Sequence, residues 1–439
     1  MDYENGTTVD ERFKIEGLCS DTGGMGQILF VKDLRQEQTD RLVLKYCKED
    51  NPNLIDRFRR EIRLMQNFHD NSKIVDVLYA NTKTTPPYFI MPYYKNGDLS
   101  KIVSNLKDNY ELQESILCSM IDCIQVLHDE GVFHRDIKPQ NFLLNDDNEI
   151  EVSDFGLGVE INSNTRNTTT RTALGTEGYY PPEFMDGGFK YADARGDIYM
   201  LGKSFYYLLT SKDPTHIDSS LINSSLFHII SKACSIKKEN RYKDLNDLKQ
   251  DIALAYNVIL NRVKNNYIDA KNLLEHIQGT HNEKELNKFF KIFYFLKDNE
   301  KMSLCKELNP YFFFALIELD DSINLIDFLK IYQIMIDKFD YDYDFVDTIG
   351  NNLKIILDAN DSSNESKALS LDILINVSQL MNRWDSQEIC KNFIISIKDD
   401  ELGESISPII LKNKTSFVSN INIADCKCDT ILRSIGTIK

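Results

Sequence analysis

Eight consecutive residues constrain this chain more than any other feature: His134-Arg135-Asp136-Ile137-Lys138-Pro139-Gln140-Asn141. They set a carboxylate, a cation two residues on and a carboxamide five residues after the acid. Thirteen residues after Asn141 comes Asp154-Phe155-Gly156, which brings a second carboxylate. Such an order of residue types at such spacings is far from chance.

The two segments resemble the catalytic loop and the metal-binding triplet of eukaryotic-like (Hanks-type) serine/threonine protein kinases. The resemblance runs from about Asp10 to Leu260. It implies an α+β class: a bilobal protein kinase fold, with a small β-rich N-lobe over residues 10–92 and a large helical C-lobe over 93–262. Phosphoryl transfer needs positioning and charge neutralisation more than covalent chemistry. By resemblance, Asp136 orients the substrate hydroxyl and accepts its proton, and Lys138 stabilises the transferring phosphoryl group. Asn141 and Asp154 would hold Mg2+ (or Mn2+). Lys45, in Leu42-Val43-Leu44-Lys45, matches the lysine that grips the ATP phosphates, and Glu61 matches its partner on the regulatory helix. The stretch from Asp136 to Asn141 is of the serine/threonine type.

The nucleotide loop is less regular. Asp21-Thr22-Gly23-Gly24-Met25-Gly26-Gln27-Ile28 keeps the second and third family glycines at Gly23 and Gly26, with Gly24 between them, and has Asp21 in place of the first. Glycine there allows the backbone to approach phosphate closely. The family places Ile28 and Val43 above the adenine and Leu143 below it, with Met91 as gatekeeper. Pro92 would open the hinge and keeps its carbonyl as an acceptor. The Tyr94 backbone supplies the next contacts, and Asp98 is placed to meet the ribose.

Between Asp154 and Glu183 lies a threonine-rich activation segment. Autophosphorylation is expected among Thr168, Thr169, Thr170 and Thr172, with Thr176 in the stretch before Glu183 that forms the protein-substrate platform. A phosphothreonine adds strong negative charge that can order a loop against arginine, here Arg135. By the same resemblance, Asp197 braces the catalytic loop and Arg241 pairs with Glu183.

Beyond Asn261 only four glycines and two prolines remain, and the pattern turns helical. Apolar-periodic segments start near Glu283, Ser322, Ser363 and Leu402, a period of 39 to 41 residues with two helices in each. That spacing fits helical-pair repeats, with an irregular bundle as the alternative. Residues 268–439 are therefore expected to be an all-α, solenoid-like domain for partner docking or autoregulation. Within it, Phe312–Phe314 and Trp384 read as core.

The 51 basic and 68 acidic residues give a net charge of −17. This balance disfavours nucleic acid, whose phosphates need clustered cations. Nine scattered cysteines suggest reduced thiols rather than a disulfide framework. Cys426 and Cys428 lack the partners of a zinc site. The most apolar windows are too short for a membrane span, which needs about 20 residues. The expectation is a soluble, cytoplasmic enzyme using ATP and a divalent ion on serine or threonine of protein substrates. A pseudokinase scaffold that presents the helical region to partners is the alternative.

Overall fold

The computed structural model describes residues 3–20, 26–35, 41–48, 50–154, 159–160, 178–184, 193–262, 266–280, 282–318 and 322–438. The chain divides into two compact units. One comprises Met1–Ile222 and Ile229–Tyr256, the other Asn223–His228 and Asn257–Lys439.

Alternation of apolar and polar residues builds the first unit's sheet. Its strands are β1 (Thr8–Val9), β2 (Phe13–Ser20), β3 (Gly26–Asp33), β4 (Leu42–Cys47), β5 (Tyr79–Asn81) and β6 (Tyr88–Pro92). They lie in the order β1-β2-β3-β4-β6-β5, with every pairing antiparallel. Successive strand residues point to opposite faces. Phe13, Ile15, Leu29, Val31, Leu42, Leu44, Tyr88 and Ile90 share one buried core. The intervening residues Ile28, Val43, Lys45, Phe89 and Met91 therefore occupy the other face. Register aligns Ile28 and Phe89 with Lys45, and Met91 with Val43.

Helix α1 (Pro52–Gln66) starts where Asn51 accepts the Asn53 N–H at 3.0 Å and Pro52 takes the first turn. It buries Ile55, Phe58, Glu61, Ile62 and Met65. The sheet is followed by α2 (Val103–Leu106), α3 (Tyr110–Asp129), β7 (Val132–Phe133), β8 (Phe142–Leu144), β9 (Ile150–Val152), β10 (Val159–Glu160), α4 (Ala194–Thr210), α5 (Ser224–Ala233) and α6 (Leu245–Ile259). Strands β8 and β9 form an antiparallel hairpin, and β7 pairs with β10. A β-rich segment followed by a helical one is the order expected from the sequence.

Helices α7 (Tyr267–Thr280), α8 (Glu283–Phe293), α9 (Asp298–Glu307), α10 (Pro310–Glu318), α11 (Ser322–Lys338), α12 (Tyr343–Asp358), α13 (Asn364–Leu380), α14 (Trp384–Ser396), α15 (Asp400–Lys412) and α16 (Asp429–Ile438) belong to the second unit. Helix α9 packs on α11, α11 on α13 and α13 on α15, while α10 packs on α12 and α12 on α14. Each helix thus meets the equivalent helix of the next pair, as stacked repeats do. Phe289, Phe290, Phe293, Phe312, Phe313, Phe328 and Tyr332 are buried together. The Phe312 and Phe328 ring centroids lie 5.2 Å apart.

Two aromatic expectations need correction. Phe314 is 47% exposed and Trp384 is 77% exposed. Trp384 opens α14, whose inward face is taken by Ser386, Gln387, Cys390 and Ile394. Phe314 falls on the open side of α10, while Phe312, Phe313 and Leu316 face inward.

The second unit also buries a cation. Lys301 Nζ donates to Ser224 Oγ at 2.7 Å and Ser225 Oγ at 3.1 Å, and lies 4.0 Å from Asp298. Burial pulls its pKa down to about 8, against the opposing pull of Asp298. Among the described residues, no helix is long and apolar enough to cross a membrane.

Candidate active site

Lys45 stands on β4, between β3 and β6, so its ammonium is carried by one of the two central strands of the sheet. The side chain is buried, and Nζ donates to Glu61 Oε1 at 2.9 Å and to Asp154 Oδ1. The rings of Phe58 and Phe89 lie within 5.9 and 5.7 Å of the same nitrogen. Burial alone lowers an ammonium pKa. Here the charges of Asp154 and Glu61 overcome it, and Lys45 rises above its ordinary value. Burial pushes Glu61 up, whereas the attraction of Lys45 outweighs burial for Asp154 and holds it low.

Gly26 faces this lysine. A Cβ there would come within 3.0 Å of Lys45 Cε and 3.3 Å of the Tyr46 carbonyl oxygen. A side chain at this position would press on the lysine stem, which would have to give by a few tenths of an ångström. Gly23 and Gly24 lie outside the described residues, as do Asp21, Thr168, Thr169, Thr170, Thr172 and Thr176.

The β8–β9 hairpin sets the loop chemistry. Pairing of Phe142 with Val152 brings the ends of the two loops together, and Ser153 N donates to Asn141 O at 2.8 Å. His134 Nε2 adds a bond to Ser153 O at 3.0 Å. Asn141 Nδ2 donates to the Asp136 carbonyl at 2.7 Å and reaches Asp136 Oδ2 at 3.3 Å, while Lys138 Nζ lies 3.1 Å from that oxygen. With its NH2 spent on Asp136, the Asn141 amide turns its oxygen elsewhere. That oxygen and the Asp154 carboxylate are a donor set that fits a hard divalent ion.

Asp197, buried on α4, accepts from His134 N and Arg135 N at 2.9 Å each and also meets His128 Nε2 at 2.8 Å. The backbone of Arg135 is left-handed, with φ of 67°, as is that of Asp154, at 65°. Non-glycine residues hold that geometry only where their surroundings fix it. Burial would raise the Asp197 carboxyl, but its donors hold it below the usual value. Glu183 receives two bonds from buried Arg241, at 2.7 and 2.8 Å. Arg241 also donates to the Ser235, Ile236 and Arg195 carbonyls.

On the nucleotide side, Val43 and Met91 are buried, while Ile28 and Leu143 are partly open. Leu143 forms an isolated bridge with Asp98. Asp98 caps the short helical turn Leu99–Ile102 by accepting Ser100 N at 3.0 Å, so one carboxylate oxygen is already engaged. Tyr94 bonds through its hydroxyl to Glu151 of the hairpin. Sequence reasoning missed His128 and this Tyr94–Glu151 contact. Each joins residues more than 50 positions apart, and no local pattern marks such a pair.

Residues 22–278 match the protein kinase domain family. Over 237 residues the chain is 31% identical to a probable serine/threonine-protein kinase of Clostridium perfringens, covering 52% of this chain and 33% of that one. It is 29% identical over 259 residues to serine/threonine-protein kinase PknB of Mycobacterium leprae, covering 52% and 41%. A CBL-interacting serine/threonine-protein kinase of Arabidopsis thaliana is 28% identical over 216 residues, 48% of each chain. The chain thus spans between a third and a half of the length of these curated relatives.

Proposed function

The chain belongs to the protein kinase family, and from that premise we propose that it transfers the γ-phosphoryl group of ATP to serine or threonine hydroxyls of proteins. The observation that carries this reading is the convergence of Lys45, Glu61 and Asp154 in one chain of contacts, from three separate elements. ATP would supply the phosphoryl group, and Mg2+ (or Mn2+) would neutralise its charge. Asn141 and Asp154 would hold the ion, and Lys45, positioned by Glu61, would hold the α- and β-phosphates. Asp136 takes the proton from the hydroxyl as its oxygen bonds to the γ-phosphorus, the bond from that phosphorus to the bridging β–γ oxygen breaks and ADP leaves, and Lys138 meets the charge on the transferring group. Ile28, Val43, Met91 and Leu143 would enclose the adenine, with the Tyr94 backbone and Asp98 beside it and Gly23, Gly24 and Gly26 over the phosphates.

Autophosphorylation at Thr168 to Thr172 forms part of the proposal, with Arg135 as the phosphate's partner. The helical unit would dock protein partners or regulate the catalytic unit. The test incubates the purified full chain with γ-labelled ATP, Mg2+ and casein, with Asp136→Ala as control. Label should enter casein and the threonine-rich segment in wild type alone. Equal inertness of both proteins, with ATP still bound, would favour the scaffold reading.

A further inference from the structure

The second unit carries an apolar cluster that its core does not use. Tyr343 opens α12, Leu380 closes α13 and Trp384 opens α14. They are 58%, 77% and 77% exposed. A single exposed apolar side chain needs no explanation, but a gathering of them marks an interaction site.

Arg383 ties the cluster together. It precedes Trp384, and its guanidinium lies 5.8 Å from the Tyr343 ring centroid. It is already engaged by Asp347, through Nε at 3.0 Å and through Nη2. Asp344 and Asp385 act on the same guanidinium. Asp340, Asp342, Asp344, Asp385 and Glu388 are exposed around these helix ends. The next cation along α14, Lys391, lies 3.9 Å from Glu388. Acid therefore exceeds base around the exposed Trp384 ring and around a Tyr343 ring that already carries one guanidinium. That combination suits a guanidinium or ammonium, through cation–π attraction and ion pairing together. Leu380 offers apolar ground to an aliphatic side chain, and tryptophan and tyrosine commonly anchor such contacts.

We propose that Tyr343, Leu380 and Trp384, with Asp344 and Asp385, form a docking surface for a basic, leucine-containing segment of a partner protein. The same carboxylates repel anionic lipid and nucleic acid. The inference rests on the docking reading of the helical unit and is independent of phosphoryl transfer.

Trp384 is the only tryptophan in the chain, so emission excited selectively in tryptophan, beyond tyrosine absorption, reports this spot. The full chain is titrated with an aromatic-free peptide, acetyl-Leu-Arg-Arg-Leu-Arg-Arg-Leu-amide. Emission should change saturably. The double variant Asp344→Asn/Asp385→Asn should bind about tenfold more weakly, and Leu380→Ser should also weaken binding. A peptide with Glu for each Arg, and vesicles of phosphatidylserine, should leave emission unchanged. Silence at millimolar peptide, an equal response to the acidic peptide, or an affinity unmoved by the double variant overturns the proposal. So does a response to the vesicles, or to protein concentration alone, which would mark a second copy as the occupant. Calorimetric binding that leaves Trp384 emission unchanged overturns this surface without touching the general docking reading.

Discussion

The two units use buried polarity differently. In the first, Lys45, Glu61, Asp197 and Arg241 are enclosed and held by opposite charges or by peptide groups. In the second, the interior is chiefly rings and aliphatic chains, with Lys301 as a buried cation set against hydroxyls and Asp298, and with Asp372 held by Lys412 near its margin. Desolvating an ion pair costs about what its attraction returns, so such pairs are weak evidence of stability. Aromatic packing adds stability directly. The first unit therefore spends its interior on placing charge, and the second on holding itself together.

Substitutions should separate these two uses. The largest effect is expected from Asp136→Asn, which keeps the shape of the side chain. Labelled-phosphate transfer should fall by about 10³-fold. Thermal unfolding should move by less than about 0.5 kcal/mol. A large loss of stability would show Asp136 to be a structural charge instead.

Next comes Phe328→Ala, which empties a site ringed by Phe290, Phe293, Phe312, Phe313 and Tyr332. Denaturant unfolding of the full chain should show the second unit weakened by about 3–5 kcal/mol. A cost below about 1 kcal/mol would remove the contrast between the units.

Lys301 sharpens the comparison through pH. Its pKa falls from 10.5 in the unfolded chain to about 8 in the folded one. Between those values the unfolded chain holds more protons, so stability rises with pH. Below about 8 the penalty is fully present. Relative to Lys301→Met, the wild-type protein should gain about 2–3 kcal/mol from pH 8 to 10.5. Asp298, Glu300, Cys305 and Lys338 surround the site in both proteins, so their titrations largely cancel in the difference. A flat difference would mean that Lys301 keeps its ordinary pKa.

The smallest effect concerns Asp98. Asp98→Ala should cost about 1 kcal/mol through loss of the cap, whereas Asp98→Asn keeps it. If the carboxylate also meets the ribose, Asp98→Asn should raise the KM for ATP while leaving the melting temperature in place. An unchanged KM would reduce Asp98 to a cap.

Much of this contrast is legible in the sequence, for physical reasons. The β-rich N-lobe read over residues 10–92 contains the strands Phe13–Ser20, Gly26–Asp33 and Leu42–Cys47. Alternation and bounding turn residues fix them locally. The repeat starts read near 283, 322, 363 and 402 stand beside helices that begin at Glu283, Ser322, Asn364 and Asp400. The first repeat holds three helices where two were expected, because Pro310 opens a further short helix. Trp384 was misread because size and hydrophobicity do not reveal which side of a helix end faces solvent. His128 was missed because its partner, Asp197, lies 69 residues away.

The brace at Asp197 sets how the loop from His134 to Asn141 tolerates change. Its oxygens grip the main-chain N–H groups of His134 and Arg135, not their side chains. Every residue except proline carries that N–H. The grip therefore does not depend on which side chains occupy positions 134 and 135. At 197 it depends on the length of one side chain and the placement of its two oxygens. Of three residues in mutual contact, two are free to vary as far as the brace is concerned, and one is not.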